Sequence, residues 1–498
     1  MSAIVITSLL LALIIYIAVG LTQGRHTKGI ADLLPLALKG QARVKSSSEF
    51  ASSTVATTIS LATVVMAFFE LARNLGVWLF WTMLTTAAGL LVVRFFAKKI
   101  LQRIAVYDHR PTLHEFLGKE FNSQTLSCVG AVCTSLGFLS AFAVELTVGS
   151  KFFAGLVPNT PPWIVLVLLS VVAFVYTGVG GFRAVIVTDR IQMVSIWLLL
   201  FSLPAFYLYY VFTHGGWTEN FIKIPAATLT FSYREGLVPF LLGIFVINVP
   251  TYISDMSLWQ RIGGAQKDQT VLAGLWKSVF SAAATWGILA LLACFAFMIA
   301  EPQQGVNPLL SVLGTIGKTK GVLALGVLFV TVLGLYGAML STASTQLIAV
   351  SHTLYTDIFS RIRNHHLIEK VESKSELNLS RAILIITAIL SIIFVGILSN
   401  AGFSIADLVF ALYGAQVGLC PIVISALLLK RERLKNLSFW AAAAVSAGFV
   451  TGWGAAIYGR FTGNTNLVFL APVCSLVISS VLLGIGLAAN WLRKSEQK

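Results

Sequence analysis

Three hydroxyl side chains, Ser341, Ser344 and Thr345, stand at positions i, i+3 and i+4, so one face of a single helix would carry all of them. Thr342 lies about 100° round the same helix, with Ala338 one turn before Ser341. Neutral hydroxyl and carbonyl oxygens suit a hard monovalent cation, which they hold without trapping. Close packing of small hydroxyl residues against a neighbouring helix uses the same pattern. Two more polar interruptions break apolar runs. One is Ser52-Ser53-Thr54 continuing to Ala56-Thr57-Thr58-Ile59-Ser60; the other is Asn248-Val249-Pro250-Thr251, where the proline removes a backbone donor. Asp189 follows Thr188 just past Gly180-Gly181. An ionisable group at such a helix start points to function by default, and capping or pairing with Arg190 is its plainer role. Glu145 has no basic residue three or four positions away, which leaves a substrate cation, a proton or a structural hydrogen bond open.

These groups need apolar elements to position them, and composition says of what kind. The 498 residues are 57% hydrophobic and only 11% charged, with a mean hydropathy of +0.85. A soluble domain carries about 25% charged residues, so lipid must be the solvent for much of this surface. The net charge of +15 sits in short loops, not along a basic stripe with stacking aromatics. That excludes nucleic acid and fits topology signals and anionic lipid. Cys128, Cys133, Cys294, Cys420 and Cys474 lie scattered without metal-ligand spacing and read as small hydrophobes.

Roughly 20 apolar residues cross about 30 Å of hydrocarbon. Thirteen such runs are expected, near 3–22, 50–72, 76–97, 123–154, 161–179, 187–213, 237–255, 272–299, 322–358, 380–399, 404–429, 438–459 and 467–492. The first spans a full bilayer and lacks a basic leader, so it reads as a retained helix rather than a signal peptide. Basic residues fall on alternate loops: Arg25 to Lys45, Lys98 to Lys119, Arg261 to Lys277, Arg361 to Arg381, Lys430 to Lys435, and Arg493 to Lys498. The positive-inside rule then sets the N-terminus outside and the C-terminus in the cytoplasm of an inner or plasma membrane. The expectation is one transmembrane domain over 1–498: an extra helix at 3–22, a ten-helix core at 45–430, two further helices at 438–492, and no appended soluble domain. Glu70 and Arg73, one turn apart, read as a surface cap or salt bridge.

Tyr176-Thr177-Gly178-Val179-Gly180-Gly181-Phe182-Arg183-Ala184-Val185, running on to Thr188-Asp189-Arg190-Ile191-Gln192, resembles a signature of the sodium:solute symporter family. Asp255 with Gln260-Arg261, and Met339 to Gln346 with Asp357, resemble two more of its motifs in the right order. The resemblance covers roughly residues 45–430. It implies an all-α, leucine-transporter-type fold of two inverted five-helix repeats, each opening with a broken helix, here the second and seventh runs. It also implies a sodium site from carbonyls of Ala56, Ile59 and Ala338 with the hydroxyls of Ser341 and Thr342. A second sodium site of some members would use Asp189, Ser344 and Thr345, with Ser341 shared. Candidate solute contacts are Thr58, Asn248, Tyr413 and Glu145; Thr58 departs from the Asp or Asn of several members.

The implied activity is sodium-coupled uptake of a small organic solute by alternating access, with Na⁺ as coupling ion and no cofactor. Partners are then the solute, Na⁺ and lipid. Two rival readings are a proton-coupled or uncoupled transporter on the same scaffold, and a membrane solute sensor. An enzyme is not expected: His109, His114 and the pair His365-His366 read as solvated loop residues, without nucleophile, paired carboxylates or ligand spacing.

Overall fold

The computed structural model describes residues 1–35, 43–265, 267–301, 305–360, 373–400, Phe410, Ala411, Gly414 and 416–496. They are almost wholly helical. Ten helices among them are long and apolar enough to cross a bilayer, against the thirteen expected. Two of those ten stretches each hold two helices: 61–104 is joined at Gly76 (φ 53°) and a 3₁₀ turn, Gly76–Leu79, and 162–213 is joined at Gly181 (φ 66°, ψ −163°), the corners at which the expected pairs of runs meet. The expected run 404–429 lies partly outside the described residues, and so does Tyr413.

In chain order the elements that matter here are as follows. α1 is Ser2–Gly24 and α2 is Ser47–Thr58; a π-helical turn, Leu61–Met66, leads into α3, Ala67–Leu75. α4 is Phe80–Ile104, α5 Leu113–Glu120, α6 Gln124–Leu156 and α7 Pro162–Thr213. α8, Leu237–Asn248, is followed by a 3₁₀ turn at Thr251–Ser254 and by α9, Met256–Gly264. Then come α10, Asp268–Phe295; α11, Pro308–Lys318; α12, Val322–Thr353; and α13, Lys374–Asn400. α14 is Cys420–Leu428, α15 Ser438–Phe461 and α16 Thr465–Glu496. Helices α5 and α11, both short, fall in stretches read from sequence as loop.

Both expected breaks are present, and each has a local cause. In α2 the hydroxyls of Thr57 and Thr58 bond back to the carbonyls of Thr54 and Val55 at 2.9 and 2.8 Å, competing with the helical ladder. Ile59 (φ −102°, ψ 75°) then leaves the helix, and extended Ser60 caps the next turn by accepting the Thr63 N–H at 2.9 Å. In the second break Pro250 lacks a donor, Asp255 is extended, and its carboxylate caps α9 by accepting the Leu258 N–H at 2.9 Å. α4 comes close to this second break because Gly89 has no side chain; a Cβ there would sit 2.0 Å from the Asn248 carbonyl oxygen.

Gly181 turns α7 with φ 66° and ψ −163°, a conformation that favours glycine. A Cβ at this corner would meet Leu33 Cα at 2.7 Å, so the loop after α1 seats directly on it. α1 packs across α7 and α12 through Tyr16, whose ring centroid lies 6.3 Å from Tyr176 and 6.0 Å from Tyr336. The last pair, α15 and α16, pack through small residues, Gly448 against Ser475 and Gly459 against Val468. α16 also packs on α8, where Phe240 and Phe469 meet at 5.6 Å.

Candidate functional site

α12 crosses the first break at its hydroxyl face. Ser341 Oγ lies 2.8 Å from the Ala56 carbonyl oxygen and 3.0 Å from that of Ala338. Thr342 Oγ1 lies 3.4 Å from the Thr57 carbonyl and 3.2 Å from Ala338. Ala56, Ala338 and Ser341 are buried, and Ile59 closes the same turn with its N–H on the Ala56 carbonyl at 3.3 Å. Four of the five residues expected to hold a cation are thus in direct contact, and the fifth ends the helix they meet. The donor set is neutral oxygen throughout, which fits a hard monovalent cation.

The residues of the second expected cation site are arranged differently. Asp189 is fully buried, takes the Ser53 hydroxyl on Oδ2, and faces Arg261 Nη2 at 3.4 Å. Arg261 also donates to Ser53 Oγ at 2.8 Å, the Ser257 carbonyl at 3.0 Å and Thr345 Oγ1 at 3.0 Å. A guanidinium therefore already stands between Asp189 and Thr345. Ser344 turns its hydroxyl to the Ser341 carbonyl at 3.3 Å. Two readings are corrected here. Arg261 is not a loop cation marking the cytoplasmic face; it is 1% exposed and lies inside the bundle. Arg190 is not the partner of Asp189; it is half exposed and faces Glu49 at 3.5 Å. Neither Arg261 nor Ser53 was singled out as a site residue, and the Gln260-Arg261 motif was the signal that could have found them.

Between the breaks lies a cavity of ≈ 120 Å³. Its polar lining includes Thr57, Thr58, Asn248, Thr342, Thr345 and Gln346, with Phe68 and Trp286 as an aromatic wall. Trp286 Nε1 donates to Thr58 Oγ1 at 3.3 Å, and its ring meets Phe68 edge-on at 5.6 Å. Asn248 donates to Thr85 Oγ1 at 3.0 Å. Thr58 and Asn248 thus face the cavity as expected. Glu145 does not line it. Its carboxylate is buried against the restart of the broken helix, on the N–H groups of Leu61 and Ala62 and the hydroxyl of Ser60.

Away from the cavity, His114 is not a solvated loop residue. It is fully buried, with Nδ1 3.3 Å from Asp357 and Nε2 2.8 Å from Thr134 Oγ1. Asp357 also accepts the Thr112 hydroxyl, its oxygens at 2.7 and 2.8 Å. His109 pairs with Glu115 at 2.9 Å, beside Lys119 at 2.7 Å. Burial raises the Glu115 carboxyl, but His109 and Lys119 outweigh it and hold the pKa down to about 2. His365 and His366 lie outside the described residues.

Residues 47–435 match the family model described as the sodium:solute symporter family. No curated protein sequence matches the chain. Among solved structures, the chain is similar to a Na⁺-coupled sialic acid symporter in a substrate-bound outward-open state, at 18% identity, TM-score 0.75, covering 98% of this chain and 97% of that one. It is also similar to a nucleobase-cation-symport-1 family transporter in a closed conformation with bromovinylhydantoin bound, at 12% identity, TM-score 0.56 and coverage of 91% and 95%. A manganese transporter of Eremococcus coleocola matches at 13% identity, TM-score 0.56 and coverage of 92% and 99%. All are likenesses of fold.

Proposed function

The chain belongs to the sodium:solute symporter family, an integral membrane protein of sodium-coupled symport with a leucine-transporter-type fold, and from that premise we propose where its coupling ion binds and how it acts. Na⁺ is held by the carbonyls of Ala56, Ile59 and Ala338 and the hydroxyls of Ser341 and Thr342. The observation that carries this reading is the 2.8 Å approach of Ser341 Oγ to the Ala56 carbonyl across the first break.

Na⁺ enters from outside, with the N-terminus outside and the C-terminus in the cytoplasm, as the distribution of basic residues indicates. Bound there, it ties α2 to α12 and so fixes Thr57 and Thr58, which line the solute cavity. Thr58 and Asn248 contact the solute. Na⁺ drives the cycle by binding the outward-facing, solute-competent state better than the others, and rocking of one helix bundle on the other then opens the path inward. One charge carried through the whole field supplies about 2.3 kcal/mol per 100 mV, roughly one and a half decades of accumulation. A second Na⁺ at Asp189, Ser344 and Thr345 has first to move the Arg261 guanidinium, so a single coupling ion is the reading favoured.

The test is thermal unfolding of the purified protein in NaCl against choline chloride. Stabilisation that rises with Na⁺ concentration supports a cation site, since a ligand of the native state raises its stability by mass action. Identical curves in the two salts count against it and bring proton coupling forward.

A further inference from the structure

A break in a helix bares two kinds of backbone group: carbonyls at the end of the first half and N–H groups at the start of the second. At the first break the carbonyls face the Ser341 hydroxyl, and the N–H groups face Glu145. Glu145 Oε1 accepts from Leu61 at 2.8 Å and Ala62 at 3.4 Å; Oε2 lies 3.3 Å from the Ala62 nitrogen and takes the Ser60 hydroxyl. The Thr63 N–H is taken by Ser60 Oγ. Glu145 is fully buried, and beside it Ala62, Ala141 and Val144 form an apolar cluster covered by Val148 and Trp453. Among the described residues the groups that meet its carboxylate are Ser60, Leu61 and Ala62, none of them a cation.

A half-helix N-terminus at a membrane midplane is a seat for an anionic group of a solute. We propose that Glu145 is a resident carboxylate that fills this seat, fixes the sodium-binding carbonyls just before it, and so reserves the cavity for an uncharged solute. Three observations bear on the last point. The second restart, α9, is likewise capped from within by Asp255. Arg261, the cation of the cavity lining, is engaged by Asp189, Ser53, Thr345 and Ser257. Asp255 also lines the cavity, with its Oδ1 taken by the Ser257 hydroxyl and the Leu258 N–H. Apart from these two charged residues the polar lining is hydroxyl and amide, which recognises hydrogen-bonding groups without charge. Glu145 is a positioning residue: it touches neither ion nor solute, but Ser60, which it holds, follows Ile59 directly. This inference rests on the sodium site proposed above.

The experiment is thermal unfolding across a Na⁺ series, balanced with choline, for wild type, Glu145→Ala and Glu145→Gln, each with and without choline formate. Loss of an outer-shell partner weakens metal binding by about 10- to 100-fold, so Glu145→Ala is expected to need that much more Na⁺. Formate, entering the vacated seat, restores much of the affinity and leaves wild type unmoved. Glu145→Gln weakens Na⁺ too, because its amide turns donors toward N–H groups, and formate does not rescue it because the seat stays filled. Wild-type Na⁺ affinity in either variant, or formate stabilising wild type as it does Glu145→Ala, overturns the proposal. Should Glu145→Ala fail to fold, Glu145→Gln alone decides. Should wild type ignore Na⁺, the sodium site fails by itself; the seat is then judged by whether formate stabilises Glu145→Ala and not wild type.

Discussion

Ser341 on α12 sets its hydroxyl 2.8 Å from the carbonyl oxygen of Ala56, the residue at which the first broken helix begins to unwind. The contact joins two elements 285 positions apart in the chain. It also puts the cation site at the point where the backbone already has carbonyls to spare.

Replacing both hydroxyls therefore removes two of five oxygens from the site and leaves its shape. Ser341→Ala/Thr342→Ala should fold, with a melting temperature in choline close to wild type. Its stabilisation by Na⁺, about 2.7 kcal/mol for wild type at a hundredfold excess over the dissociation constant, should be lost. A double variant that still responds to Na⁺ as wild type does would remove these hydroxyls from the site.

The pairing of Asp189 with Arg261 is a buried ion pair, and removing one partner strands the other. Asp189→Asn and Arg261→Met should each cost about 3–5 kcal/mol, while the double variant recovers a large part. Unfolding in denaturant across the four proteins gives the coupling energy, and additive losses would mean the pair is not felt. Because Arg261 holds Asp189, Na⁺ dependence of transport should have a Hill slope near one; a slope near two requires the guanidinium to be displaced.

Outside the membrane, Glu115 links acid stability to His109 and Lys119. Its pKa in the folded protein, about 2, lies below the ordinary 4.5. A depressed carboxylate stabilises the fold above its ordinary pKa and loses that contribution as pH falls toward the folded value. Stability should thus fall between about pH 4.5 and 2, and Glu115→Gln, less stable at neutral pH by on the order of 2 kcal/mol, should show a flatter acid limb. Parallel acid limbs for the two proteins would refute the assignment.

The buried Asp357 carboxylate accepts the Thr112 hydroxyl and stands 3.3 Å from His114 Nδ1. Asp357→Ala should destabilise by about 3–5 kcal/mol, since the imidazole and hydroxyl are left facing a void. Asp357→Asn, which keeps an acceptor for Thr112, should cost less. Equal losses in the two melting curves would show that volume, not hydrogen bonding, matters there.

Much of the site was legible because polar residues inside apolar runs are costly and therefore conspicuous. Ala56 to Ser60, Asn248 to Thr251 and the Ser341 face were found in that way, and both breaks fall where hydroxyl-rich or proline-containing segments weaken the helix. The partners of the charges were not legible. Arg261, close to Lys267 and a glycine pair, looks like any loop cation, and nothing local says that α9 turns it inward. Glu145 finds Ser60 85 positions away, and His114 finds Asp357 from another helix, so both pairings exist only once the helices have packed. The corner between two expected runs was legible too: Gly180-Gly181 marks it, and Gly181 joins two helices there at φ 66° and ψ −163°.

Arg261 gathers Ser53 of α2, Asp189 of α7, Thr345 of α12 and the α9 backbone onto one guanidinium. Any motion that parts α2 and α9 from α7 and α12 has to pull that group off a partner. Arg261 keeps Ser53 and the Ser257 carbonyl in such a motion but gives up Asp189 and Thr345. Opening in that direction therefore carries the cost of splitting a buried ion pair, which weights the bundle toward the arrangement in which the four segments stay joined.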